Sequence, residues 1–125
     1  LRTQSVHTQS GETYITDAPV DNEGKGEAFS PTDIVATSLA NCMLTIMGIV
    51  SNRKGLDLEG TEAKIDKLMG TEPRRITEIK IDFYFPVSFS NDERKLLEKA
   101  AINCPVAKSL SSDLKQNIQF HYPSS

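Results

Sequence analysis

The sequence predicts an α+β fold in which short antiparallel strands surround one long apolar helix. Three observations carry that prediction. Segments rich in Thr, Val, Tyr, Ile and Phe alternate apolar and polar residues with the period of a strand. The stretch from Ile34 to Ser51 contains no charged residue. The order is strands, long helix, strands, helices, strand, which does not repeat a βαβ unit. No internal repeat or low-complexity tract interrupts it.

The chain has 125 residues, 38% hydrophobic and 25% charged, a length that fits one domain spanning 1–125. Folding at this size buries roughly two-thirds of the extended chain's surface, enough for a core without staples. The net charge of −3 and pI of about 5.4 argue against a basic footprint for nucleic acid or an anionic membrane. Leu1 is not followed by a charged and then an apolar segment, so no signal peptide is expected. Its place at the start predicts that a few residues precede it.

Each element has its own signals. Arg2–Thr8 and Glu12–Asp17 flank Gln9-Ser10-Gly11 and predict a hairpin. The segment 17–26 combines breakers with acids but lacks the alternating ligands and terminal Glu of a calcium loop, so a solvated loop is expected. Ser30-Pro31-Thr32-Asp33 opens the long helix: Ser30 caps, Pro31 suits the first helical position, and Asp33 completes a capping box. The helix is expected to end near Val50 or Ser51, before Asn52-Arg53-Lys54-Gly55. Its polar members Thr37, Ser38, Asn41 and Thr45 are small, and apolar residues occupy nearly every side. Such a helix is a membrane span or a buried one. The stretch is short for a bilayer, so a central helix wrapped by sheet is expected. One chain of this size is too small to wrap it, which implies a second copy.

Leu56–Met69 and Ile76–Val87 predict two strands around a turn at 70–73, with Ile79, Ile81, Phe83, Phe85 and Val87 sharing one face. Ser90-Asn91-Asp92-Glu93 is a second capping box, opening a helix with a stripe of Leu96, Leu97, Ala100 and Ala101. Pro105 ends that helix and starts a short one to about Leu110. Asn117–Tyr122 predicts the last strand, with Ile118, Phe120 and Tyr122 on one face.

Two cysteines are too few for a disulfide scaffold. On packing alone Cys42, amid Ser38, Thr45, Ile46 and Ile49 on its helix, reads as a buried structural thiol. Cys104 precedes Pro105 at a helix N-cap, where backbone N–H groups and the dipole favour thiolate, and where Ser, Thr, Asp or Asn would cap better. A reactive thiol is the reading there. With only Cys42, Cys104, His7 and His121 as soft ligands, no metal-binding spacing exists, and no metal or other cofactor is expected.

Phe29-Ser-Pro-Thr-Asp-Ile-Val-Ala-Thr-Ser-Leu-Ala-Asn-Cys-Met43, followed by Asn103-Cys-Pro-Val-Ala-Lys-Ser-Leu110, resembles the OsmC/Ohr family, whose organisation the whole chain follows. The resemblance implies an intertwined homodimer in which antiparallel sheets wrap the long central helices. It implies a cytoplasmic, peroxiredoxin-like enzyme of oxidative-stress defence, reducing organic hydroperoxides and hydrogen peroxide. Cys42 matches the peroxidatic thiol and Cys104 the resolving one, with an external dithiol, often lipoyl-linked, restoring both. An apolar pocket is expected from Phe29, Met43, Met47 and the partner.

The family holds its peroxidatic thiol with an Arg from the N-terminal sheet, itself held by a Glu directly after the helix-start Pro. Here Thr32 stands at that Glu position and the acid follows at Asp33. The turn at 9–11 contains no Arg. Arg2, Glu27 and Asp33 are therefore the candidates for activating or positioning Cys42. A straight helix puts Asp33 about 13 Å along the axis from Cys42, so Asp33 is expected to cap. The alternative is a non-catalytic dimer of the same fold that binds a small apolar ligand.

Overall fold

The computed structural model describes residues 1–124. They form two compact units, Leu1–Val35 and the chain from Ala36 onward.

In the first unit, β1 (Arg2–Val6) and β2 (Thr13–Asp17) pair antiparallel, with Arg2 opposite Asp17 and Val6 opposite Thr13. The hairpin loop is wider than the three-residue turn expected. The His7 carbonyl accepts N–H groups from Ser10 (3.2 Å) and Gly11 (2.7 Å), and the His7 N–H donates to the Glu12 carbonyl (2.7 Å), which closes the loop. The segment after β2 is an organised loop with one 3-10 turn at Val20–Asn22. Gly26 N–H donates to the Ala18 carbonyl (3.1 Å) and Gly24 N–H to that of Pro19 (3.0 Å). A Cβ on Gly24 would lie 1.7 Å from the Ala18 oxygen, so only glycine fits there.

Helix α1 (Pro31–Lys54) opens with the expected capping box: the Asp33 N–H donates to Ser30 Oγ (3.1 Å) and the Ser30 N–H to Asp33 Oδ2 (3.0 Å). It runs past the expected end, because Arg53 and Lys54 suit the negative pole of the dipole and do not break the helix. The stop is Gly55 at φ 70°, with Leu56 N–H donating back to the Ser51 carbonyl (2.9 Å). This is a Schellman ending, which needs the left-handed residue one position later.

In the second unit, β3 (Glu62–Gly70), β4 (Arg75–Tyr84) and β5 (Lys115–His121) form one sheet in the order β3-β4-β5. β3 starts at Glu62 and not at Leu56, because 57–61 are folded into turns: Glu59 N–H donates to Asp57 Oδ1 and Thr61 N–H to the Leu58 carbonyl. β4 stops short of Val87, since Pro86 has no N–H to continue the ladder. β3 and β4 run antiparallel, but β4 and β5 run parallel. The sheet is therefore mixed where only antiparallel pairing was expected. The helices α2 (Asn91–Ile102) and α3 (Pro105–Ser109) supply the crossover that a parallel pair requires.

α2 carries a complete capping box between Ser90 and Glu93. It buries Leu97 and Ala101, while Leu96, expected in the stripe, is 37% exposed. The core of this unit joins Ala36, Leu39, Ala40, Met43 and Met47 of α1 to Ile79, Ile81 and Phe83 of β4. By length and composition α1 could cross a membrane, but this stripe is packed in the core. Ile49 stays 43% exposed. One face of α1 is thus buried and another apolar face is not.

Candidate active site

Cys42 lies at the flank of the buried stripe of α1, partly buried and packed against the core. Cys104 is reached from the other direction. α2 ends at Ile102, Asn103 caps it, and Pro105 begins α3, which leaves Cys104 at φ −66°, ψ 154° as the N-cap. Its N–H still donates to the Ala101 carbonyl (3.1 Å) and its own carbonyl accepts from Lys108 (3.1 Å). Its sulfur accepts the Ala107 N–H at 3.4 Å. Both thiols are free, and Cys42 lies near enough to Cys104 to act on its ionisation. The fold thus brings together two thiols that lie on separate helices.

The expectation that the N-cap favours thiolate at Cys104 does not hold. Burial pushes the Cys104 thiol up, and the nearby Cys42 pushes in the same direction, while the Ala107 N–H only partly opposes them. Cys104 is 1% exposed, and desolvation of a charged sulfur there outweighs one N–H bond and the dipole of a five-residue helix. In this form Cys104 is held as a thiol.

The other predicted residues fall into two places in the N-terminal unit. Arg2 and Glu27 are brought together, with Arg2 Nη2 3.4 Å from Glu27 Oε2. The same nitrogen lies 3.6 Å from Asp17 Oδ2. Asp17, which the sequence reading passed over as a strand end, is 2% exposed. Its carboxylate accepts the Glu27 N–H at 3.0 Å. That bond, and then Arg2, hold the carboxyl below its ordinary range against the opposing effect of burial. The only signal available for it was an acid directly opposite an Arg in the hairpin register. Asp33 is the capping acid of α1, its carboxylate on the Ser30 N–H.

Met43 and Met47, expected to line a pocket, are fully buried in the core. Phe29 is 56% exposed. His121 is paired with Asp82 at 2.8 Å and stacks on Tyr84. Among the described residues, no group of three or more His, Cys, Asp or Glu is placed to hold a metal.

In this mixed α+β unit a partly buried helix thiol lies near a buried N-cap thiol. The chain belongs to the OsmC-like family: the family model of OsmC-like proteins matches residues 24–119. A proposed osmotic-stress-induced and detoxification-response protein of Psychrobacter arcticus 273-4 is 49% identical. Its structure superposes with a TM-score of 0.94, covering 97% of this chain and 88% of that one. Two more distant structures share the fold. One is the organic hydroperoxide resistance protein OsmC of Legionella pneumophila (16% identity, TM-score 0.65, 96% of each chain). The other is an organic hydroperoxide resistance protein of Elizabethkingia anophelis (13% identity, TM-score 0.75, 98% and 94%). No curated protein matches the chain.

Proposed function

We propose that the protein is a thiol-dependent peroxidase that reduces organic hydroperoxides, and hydrogen peroxide, with Cys42 as nucleophile and Cys104 as resolving thiol. The observation that carries this reading is the nearness of the partly buried Cys42 to the buried Cys104. In the first step the Cys42 thiolate attacks the outer peroxide oxygen. The O–O bond breaks, the alcohol leaves with a proton, and Cys42 becomes a sulfenic acid. In the second step the Cys104 sulfur displaces the sulfenic oxygen. An S–S bond forms, the S–O bond breaks, and water leaves with the Cys104 proton. An external dithiol, lipoyl-linked in our reading, then reduces the disulfide and is itself oxidised.

The state of Cys104 suits this role. A thiol kept protonated by burial does not compete for peroxide and brings the proton that the departing oxygen needs. The family's homodimer belongs to the same proposal, with the single domain of each chain in the reducing cytoplasm. A second copy would cover the exposed apolar face of α1, where Ile49 lies, and would leave an apolar approach to Cys42 for an organic peroxide.

The test is peroxide consumption by the reduced protein with dihydrolipoamide, comparing wild type with Cys42→Ser and Cys104→Ser. Cys42→Ser should lose activity, and Cys104→Ser should stall after one turnover with a persistent sulfenic acid. Wild-type activity in Cys42→Ser would overturn the proposal.

A further inference from the structure

Strand β5 places Gln116, Ile118 and Phe120 opposite Ile79, Ile81 and Phe83 of β4. Those three β4 residues are fully buried, so this row of β5 turns toward the core. Gln116 is its polar member, at a position where strand patterning calls for an apolar residue. Its carboxamide has a defined partner: Nε2 donates to the Ala107 carbonyl at 3.0 Å. Ala107 is also the residue whose N–H donates to Cys104 Sγ. α3 has only five residues, too few to give its own carbonyls a full set of helical donors. Gln116 therefore ties this short helix, through the residue that holds the Cys104 sulfur, to the edge of the sheet.

We propose that Gln116 is a positioning residue for disulfide formation: by anchoring Ala107 to β5 it holds the N-terminal turn of α3, and the Cys104 sulfur with it, against Cys42. The inference rests on the two-thiol reading above and adds to it a residue that touches neither sulfur. Gln116 is unchanged by the reaction. The S–S bond still forms at the expense of the S–O bond, with loss of water. What Gln116 sets is how often Cys104 is within reach of the sulfenic sulfur, and small misplacements of reacting groups slow such steps steeply.

The experiment compares wild type, Gln116→Met, which keeps the size and loses the donor, and Gln116→Lys, which keeps a donor. Disulfide formation is followed by rapid quench and mass spectrometry after cumene hydroperoxide and, separately, after diamide, which links thiol pairs without a peroxide step. Oxidation of Cys42 is followed in a Cys104→Ser background. Gln116→Met should form the disulfide about tenfold more slowly with either oxidant, the loss expected from one positioning hydrogen bond. Its Cys42 oxidation rate should be unchanged, and Gln116→Lys should recover most of the loss. If Gln116→Met does not fold by circular dichroism, Gln116→Glu takes its place as a variant without the donor.

A donor-less variant that links its thiols at the wild-type rate, or a Lys variant no faster than the Met one, overturns the assignment. Wild type that links with diamide but not with peroxide overturns the peroxidase reading, while the diamide comparison still decides the role of Gln116.

Discussion

Replacing Cys104 separates what its sulfur does for the fold from what it does for chemistry. The side chain caps α3 through the Ala107 N–H and fills a site that is 1% exposed. Cys104→Ser keeps an acceptor there and installs a better capping residue, so its stability should stay within about 1 kcal/mol of wild type. Cys104→Ala loses the cap, worth about 1 kcal/mol, and leaves a methyl-sized void worth about 1 kcal/mol more. The Ala variant should therefore be less stable by about 2 kcal/mol, a melting point about 6–10 °C lower for a chain of this length. Thermal and urea melts at one fixed protein concentration measure this. Turnover with a hydroperoxide and dithiol should fall in both variants alike. Ser and Ala variants that melt together would refute the capping argument. A Ser variant with wild-type multiple turnover would refute the resolving role.

Three further expectations follow from other sites. Asp17 has a lowered pKa in the folded hairpin, so its stabilising effect is present above the unfolded carboxylate value of about 3.9 and is lost as pH falls through the lower folded value. Hydrogen exchange of β1 and β2 amides should show protection dropping below about pH 4, and Asp17→Asn should lack that step. The same step in the variant would contradict the assignment. Phe83 is fully buried and stacks on Phe120 at 5.6 Å, so Phe83→Ala should cost about 3–5 kcal/mol by urea denaturation. A loss under 1 kcal/mol (about the value of one exposed contact) would mean that this core is wrongly described. Tyr122 donates to Glu98 at 2.8 Å and is desolvated. Burial first, and then Glu98, push its phenol above the ordinary value. In a spectrophotometric titration one of the three tyrosines should therefore ionise last, and Tyr122→Phe should remove that phase.

Much of the fold was readable because local signals and packing agree. Both capping boxes, at Ser30 and Ser90, set their helix starts, and the alternation from Ile79 to Phe83 marked the face that the sheet buries. The misplaced boundaries are those decided by tertiary or turn geometry. Arg53 and Lys54 are as good at the end of a helix as just beyond it, so Gly55 alone marks the stop. The loop at 57–61 holds residues that could extend a strand until its own turns are formed. The parallel pairing of β5 depends on where α2 and α3 carry the chain, which no local pattern encodes.

The candidate site divides in the same way. Cys42 and Cys104 carried motifs, and their nearness to each other arises only from tertiary folding. The ionisation of Cys104 was misjudged because its helix position argued for thiolate, whereas burial, invisible in the local sequence, dominates. Asp17 was passed over because an acid at a strand end is ordinary until Arg2 and the Glu27 N–H are folded onto it. Gln116 lies just before the expected strand 117–122, and its place in the inward row appears only once β5 is seen to begin at Lys115 and pair with β4.

The central claim is that Cys42 and Cys104 act as one redox pair. Its most direct test is intact-mass and peptide mapping of the reduced protein after one equivalent of an organic hydroperoxide. Loss of two hydrogens and a single peptide pair joined through Cys42 and Cys104 are expected. Recovery of both thiols unmodified, or oxidation that leaves Cys104 free while Cys42 proceeds to sulfinic acid, would contradict that claim.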